Sequence, residues 1–415
     1  MKNKVLMVLI CFTLTLSMVL GILAGCTAPA TPKPTTPGAT TKAPTATTPG
    51  ATTKAPTTAA PAPTKAGEVF KWRCQSTSSA GDQLYWCQKE LCDNIKAASG
   101  GRLVWELFPQ GAIVARTEVF DAVAAGSIEC TPSVSENDWG GKDQLFEINN
   151  IPAGMSQWVS LCWMNYHTAD DPVSPADKLL AGLYAKFGIK AIGSGSKGPE
   201  VNYMANKLIL KPSDYKGLTF RGAGWELEVI AQPEFGAKPV FIPSADIYSA
   251  IQTGVIDAFE SGTASGNWIS GYQDVTKYWG FPGMNNLNQT NYCLINPDAW
   301  KKLPADLQKI VEMCLKNMMW TTTTYSTVES AKVIPKLVEK GIILVYQTPE
   351  VQEFWRKMML KSLEERGAKY PAFKTECLKA LEFQYMMDAY LDLQNPVYSA
   401  AYPGKKESIK GIRWQ

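Results

Sequence analysis

From residue 69 onward, short extended runs alternate with amphipathic helical stretches, and this alternation limits the chain to a mixed α/β architecture. "VFKWRCQS" (69–76) predicts a strand, and the next stretch, 83–98, carries Leu84, Cys87, Leu91 and Ile95 at helical spacing before "SGG". "RLVWELF" (102–108) predicts a second strand, 117–125 a helix stopped at Gly126, and "SIECTPSV" a third strand. Parallel strands joined by helical crossovers follow from this rhythm.

The rhythm then restarts. The spacing predicts a helix over 176–187, extended segments at 189–192 and 201–205, and a strand "LTFR" that runs into Gly222. A helix over 226–235, the strand "KPVFI", a helix over 244–254 capped by Ser244 and the strand "VIDAFES" complete a second unit. A long helical region, 304–340, is expected to break at Pro335, with further helices over 350–366 and 377–393. Two α/β lobes and a helical C-terminal tail are the expected architecture.

The N-terminal end reads differently. Lys2 and Lys4 precede an apolar run, 5–23, that closes on "LAGC", the signature of an export leader covering 1–25. "LAGC" resembles the bacterial lipobox, which implies that Cys26 is the lipidated first residue of a lipoprotein. The segment 26–67 opens on Cys26 and is then, over 27–66, only Thr, Ala, Pro, Gly and Lys, with "TTPGATTKAPT" occurring twice; such a stretch has nothing to bury. As a Pro-rich tether of ~40 residues at up to ~3 Å each, it would span on the order of 100 Å.

Charge and composition exclude several function classes. The chain carries a formal +3, and removing Lys2 and Lys4 with the leader leaves +1 and no dominant basic patch for nucleic acid. There is a single histidine, His167, in the loop-like "MNYHTADDP", so Ser-His chemistry would rest wholly on it. Gly193, Gly195 and Gly198 match G-x-G-x-x-G, but Pro199 and the extended "VNYMA" follow where a dinucleotide site needs a helix. Beyond Cys26, eight cysteines remain with no C-x-x-C pair; they read as small buried apolar residues, a usage that suits a reducing habitat.

One charge stands out. In "KGLTFRG" (216–222) a strand ends on Arg221, followed by Gly222, Ala223 and Gly224, and Glu260 closes a second strand of the same unit. Ligands of open α/β sheets sit at the carboxyl ends of strands. A guanidinium there offers two parallel hydrogen bonds to a carboxylate, or it pairs with a neighbouring acid; the residues alone leave both readings open.

Three ordered segments, "LKPSDYKGLTFRGAG", "GAKPVFIPSADIYSAIQTGVIDAFES" and "NPDAWKKLPADLQKIV", resemble consecutive motifs of the solute-binding proteins of tripartite ATP-independent periplasmic (TRAP) transporters. Upstream, "ELFPQGAIVARTEVFDAVAAGSIE" extends the similarity to nearly the whole chain after residue 68, and the DctP-type branch for 2-oxo and 2-hydroxy monocarboxylates is the most similar. The resemblance implies a two-lobed, class II periplasmic-binding-protein-like fold with a long connecting helix and no reaction of its own. Lobe I is expected from 68–198 plus 287–326, lobe II and the tail from 199–286 plus 327–395, and a C-terminal extension from 396–415.

It also implies roles for particular residues. Arg221 grips the ligand carboxylate, and Glu260 contributes to a bound cation, with Ser261 where the branch commonly has a tryptophan and Glu200 where glutamine is usual. Two acids in place of one favour Ca²⁺ over Na⁺, with a metal-free site as the remaining alternative. Ser76 and Gln110, at strand ends of the first lobe, Asn137 and Trp139 in "SENDW", and Trp225 after the glycine turn are further candidate ligand contacts. The implied partners are a small carboxylate such as pyruvate or lactate, the membrane permease subunits of a TRAP transporter, a membrane through the lipid anchor, and a second copy through a swapped C-terminal helix. The receptor of an ATP-driven importer and a carboxylate-only hydrolase are the competing readings.

Overall fold

The computed structural model describes residues 67–134, 139 and 141–394; the export leader, Cys26, the Thr/Pro tract, Asn137 and 395–415 lie outside the described residues. Within it the strands form two sheets. The first contains β1 (Phe70–Gln75), β2 (Leu103–Phe108), β3 (Cys130–Val134) and β4 (Lys190–Ser196), joined by β10 (Thr290–Ile295) in the order β2-β1-β3-β10-β4. The second contains β5 (Val201–Ala205), β6 (Thr219–Arg221), β7 (Lys238–Val240), β8 (Ala258–Ser261) and β9 (Tyr278–Phe281), with β11 (Ile343–Tyr346), in the order β11-β9-β5-β8-β6-β7.

Helices α1 (Gln83–Ala98) and α2 (Val119–Ala124) are the expected crossovers between the parallel strands β1, β2 and β3. α3 (Gln157–Asn165) and α4 (Pro175–Ala185) precede β4. In the second unit α5 (Glu226–Ile230) joins β6 to β7 and α6 (Ile247–Gln252) joins β7 to β8, again parallel, and α7 (Ala264–Ile269) follows. Then come α8 (Pro297–Lys302), α9 (Ala305–Glu339), α10 (Pro349–Lys369) and α11 (Pro371–Gln394). Prolines set several starts: Ser174, Asn296 and Thr348 each accept a first-turn backbone N–H beside a proline at the helix entrance.

The two sheets exchange chain three times. Residues 197–200 carry it from β4 to β5, 282–289 return it from β9 to β10, and α9 runs from the first unit to β11 in the second. β5 and β10 run antiparallel to both of their neighbours, as strands that arrive from the other sheet. Both are buried along their whole length, so neither shows an alternating pattern.

Helix α9 belongs to both units. Its first half sends Leu307, Val311, Leu315 and Met318 into a core with Trp72, Cys74, Cys130 and Ile295; its last turns send Val333 and Leu337 into a core with Val201, Phe259 and Trp279. A third core links both sheets to the tail through Tyr184, Phe220, Trp355, Met359 and Phe373. Six cysteines are buried, and Cys74, Cys130 and Cys293 lie on three neighbouring strands.

Several local expectations change. α9 continues through Pro335, because the proline stands near the helix end and forfeits one hydrogen bond while Val333 and Leu337 on either side stay packed. α5 is only five residues long, cut short ahead of Pro233. Ser244 does not cap α6; it opens a 3-10 turn, 244–246, and its carbonyl accepts the Tyr272 hydroxyl. β9, β10, β11 and α3 were not anticipated as separate elements.

The glycines of "GSGSKG" serve packing. A Cβ at Gly193 would lie 2.9 Å from the Met164 methyl, so the residue lets α3 and α9 approach β4. Gly280 is tighter: a Cβ there would meet the Tyr203 ring at 2.3 Å. Gly280→Ala should lower unfolding free energy by about 1–3 kcal/mol, read as a reduced urea midpoint at unchanged m-value.

Candidate functional site

β6 is three residues long, and it delivers Arg221 to the sheet's carboxyl edge with only 5% of the residue exposed. A buried guanidinium needs partners. Nε donates to the Ile242 carbonyl at 3.0 Å, and Nη1 donates to both the Glu260 carbonyl (2.8 Å) and Glu260 Oε1 (2.7 Å). Nη2 makes no hydrogen bond among the described residues, so one nitrogen of the fork remains available. Gly222 and Gly224 then let the chain fold back: Gly224 has φ +62°, and a Cβ on Gly222 would crowd the Glu226 carboxyl at 3.3 Å.

Glu260 lies on β8 one residue beyond Phe259, the partner of Arg221 across the sheet, so carboxylate and guanidinium meet at the ends of adjacent strands. The ion pair is enclosed, with Glu260 3% exposed. Its Oε2 accepts from Asn285 Nδ2 at 3.3 Å. Glu200 comes from the first crossing, 7% exposed, and its carboxyl hydrogen-bonds that of Glu260. Lys197 Nζ reaches Glu200 Oε1 at 3.0 Å.

This crossing is held tightly: the Glu200 N–H donates to the Asn286 carbonyl at 3.0 Å, and a Cβ on Gly283 would stand 2.1 Å from the Glu200 carbonyl oxygen. Asn202 steadies the same region, accepting from Asn285 N at 3.3 Å and donating to the Tyr215 hydroxyl at 3.2 Å.

The charges are unevenly supported. Burial, and then the facing charge of Glu200, push Glu260 up to about 8 against the pull of Arg221. Burial also works against ionised Glu200, but Lys197, the hydrogen bond from Glu260 and Arg221 outweigh it and hold the group below its usual range. The pair therefore shares one proton at neutral pH. A third acid, Glu226, is 5% exposed at the start of α5, and burial followed by the charges of Glu260 and Glu200 holds it well above the carboxylate range.

The other sequence candidates lie elsewhere. Ser76 is buried at the end of β1 and accepts from Ser78 N at 2.9 Å; Gln110 is exposed, its N–H donating to the Ser78 carbonyl at 3.0 Å. Neither hydrogen-bonds to the Arg221 cluster. Ser261 follows Glu260, and its carbonyl accepts from Asn267 Nδ2 at 2.8 Å.

Two tryptophans of the candidate set are placed in the core. Trp225 is a core residue: Nε1 donates to Ser362 Oγ at 2.8 Å and its ring packs edge-on against Phe373, both in the tail. Trp139 is buried against Phe120 at 5.1 Å between ring centroids. In both, the large apolar ring is worth more in the core than at a wet cleft.

Sequence reasoning missed Glu226, Lys197 and the asparagines. Glu226 was legible as the acid that opens the helix after "RGAG", and "MNNLNQTN" as an unusual amide run. Asn285, Asn286, Asn288 and Asn291 are all buried, and Asn285 Oδ1 and Asn286 Oδ1 have no hydrogen-bond partner. Among the described residues no three or more His, Cys, Asp or Glu side chains converge as a metal cage, so a cation here would rest on two carboxylates with neutral oxygens.

The model of the bacterial extracellular solute-binding proteins, family 7 (DctP), matches residues 75–369. The chain belongs to this family. It is 24% identical over 311 residues to the monocarboxylate 2-oxoacid-binding periplasmic protein of Nostoc sp., covering 73% of this chain and 81% of that one. Two solved TRAP periplasmic solute-binding proteins share its fold. That of Colwellia psychrerythraea, with bound calcium and pyruvate, has a TM-score of 0.72 at 24% identity, covering 80% of this chain and 100% of that one. That of Pseudoalteromonas atlantica, with bound sodium and pyruvate, has a TM-score of 0.71 at 24% identity, covering 80% and 99%.

The DctP-family fold is thus the two-lobed α/β arrangement expected from the motifs, and its members are extracytoplasmic solute receptors. Among the described residues no helix is long and apolar enough to cross a membrane.

The shared proton gives a pH dependence. Folded Glu260 holds a proton up to about pH 8, whereas its unperturbed value is 4.5, so between these limits the native state binds more protons than the unfolded chain. Stability of the ligand-free protein should fall as pH rises through that window. Glu260→Gln, which stays neutral, should flatten the slope of urea midpoint against pH.

Proposed function

We propose that this protein is the substrate-capturing receptor of a TRAP transporter, taking a small 2-oxo or 2-hydroxy carboxylate and passing it unchanged to the membrane permease. The observation that carries this reading is Arg221: a buried guanidinium at a strand's carboxyl end, with Nη2 unengaged among the described residues. A ligand carboxylate would complete it with charge-assisted hydrogen bonds.

We further propose that Glu200 and Glu260 hold a cation beside that carboxylate. Two facing acids that share a proton fit this role, because a cation can replace the proton and satisfy both charges, and the unpartnered Asn285 and Asn286 oxygens add neutral donors nearby. Two negative charges in an all-oxygen setting favour Ca²⁺ over Na⁺. Such an ion would supply a positive charge that screens the ligand anion from the acids; Arg221 supplies orientation. Lipidation of Cys26 would tether the receptor to the outer face of the cytoplasmic membrane.

A thermal-shift series tests the site. Pyruvate and lactate, each with and without Ca²⁺, should raise the midpoint by mass action, and EDTA should remove most of the shift. Arg221→Lys should weaken binding by at least about tenfold, since a point charge replaces a planar fork. Normal binding by that variant would overturn the carboxylate assignment, and shifts unchanged by EDTA would overturn Ca²⁺ as the bound ion. A receptor also returns its ligand intact, so chemical conversion of either acid would overturn the receptor reading.

A further inference from the structure

The helical tail spans the two lobes. α10 is fixed to the second: Trp355 packs on Tyr215 and Phe235, Lys361 pairs with Glu234, and Gln232 Nε2 donates to Glu365 Oε2 at 2.8 Å. After the turn at Pro371, α11 packs on the 3-10 segment Gln144–Asn150 and on α3, both of the first lobe. Arg366, near the end of α10, stands between them.

Its contacts are divided. Nη1 donates to Glu147 Oε2 at 2.7 Å and Nη2 to Gln144 Oε1 at 2.8 Å, both in the first lobe. Nε lies 2.8 Å from Glu228 Oε2 on α5 of the second lobe, an ion-pair contact without an aligned hydrogen bond. The guanidinium is buried, 5.2 Å from the Trp225 ring centroid and 5.0 Å from that of Phe373. Trp225 and Glu228 flank Glu226, and the same short helix begins where the Arg221 turn ends. A second interlobe bond lies at another point of the molecule, where Ser265 Oγ on α7 donates to Gln83 Oε1 on α1 at 3.2 Å.

We propose that Arg366 is a positioning residue for ligand capture: its two-lobe ionic contact latches the lobes together and holds α5 in place against the binding turn. The effect on the ligand rests on reading the Arg221 cleft as its site. Buried charges without partners are strongly disfavoured, so this contact is either made with the lobes together or lost to water with the lobes apart. Made or lost, it would give the tail two states, coupled to the Arg221 site through α5.

Amide hydrogen exchange of the full-length, ligand-free protein is the first test, comparing Glu147→Gln and Arg366→Lys with the unsubstituted chain. Glu147→Gln cuts the latch in the first lobe, on the side remote from α5. Faster exchange at 219–230 of the second lobe, beyond the uniform increase that the lowered urea midpoint accounts for, is the expected result; faster exchange confined to 144–150 would overturn the proposal.

Pyruvate release in the presence of Ca²⁺, followed by tryptophan fluorescence, is the second test. Both variants should release it at least about tenfold faster with little change in association rate, and an unchanged release rate would overturn the coupling. If the unsubstituted protein binds neither pyruvate nor lactate, the receptor reading fails, while the ligand-free exchange still decides the latch.

Discussion

The cleft depends on how a buried cation is balanced. Arg221 is enclosed at the end of a three-residue strand, and a guanidinium cannot be stripped of water without partners. Glu260 supplies the nearest one, and β-sheet register places it there. Two further acids then make the balance conditional, because Glu200 and Glu226 add more negative charge than Arg221 and Lys197 neutralise unless protons are retained. Such a group of residues is a poor choice for stability alone, since a well-packed apolar cluster would serve better. Its presence is more economically explained by a partner that arrives from solvent.

The cores surround this site without invading it. α9 is shared between two cores, the tail bridges both sheets through a third, and the crossings at 197–200 and 282–289 bring Glu200 and the asparagines beside Glu260. Polar side chains on those crossings are buried yet only partly satisfied, which separates them from the fully partnered amides of an ordinary core.

Much of this was legible in the sequence because it rests on local signals. The parallel units followed from turn glycines and helical periodicity, and Arg221 and Glu260 stood out as charges that end apolar strands. The interlobe strand β5 was legible as an extended segment but β10 was not, and the pairing of both was hidden: buried on both faces, they carry no alternation, and their partners are distant in sequence. For Trp225 and Trp139 the sequence left core and ligand contact open, because a loop-borne aromatic residue suits a cleft and a core equally well. Only their long-range neighbours, Ser362 with Phe373 and Phe120, decide between them. Glu226 was overlooked since an acid in the first turn of a helix is ordinary until its burial is known.

Glu200 is both a charge of the cleft and a link of the first crossing, its backbone bound to Asn286 of the second and its carbonyl facing Gly283 without a gap. Coulomb energy changes steeply at short separation in a poorly hydrated site. Any rotation of one lobe about the crossings alters the spacing between Glu200 and Glu260, and any charge placed between them exerts a torque on the crossings. A charge held between Glu200 and Glu260 would therefore bear on the crossings mechanically as well as on the two carboxyls.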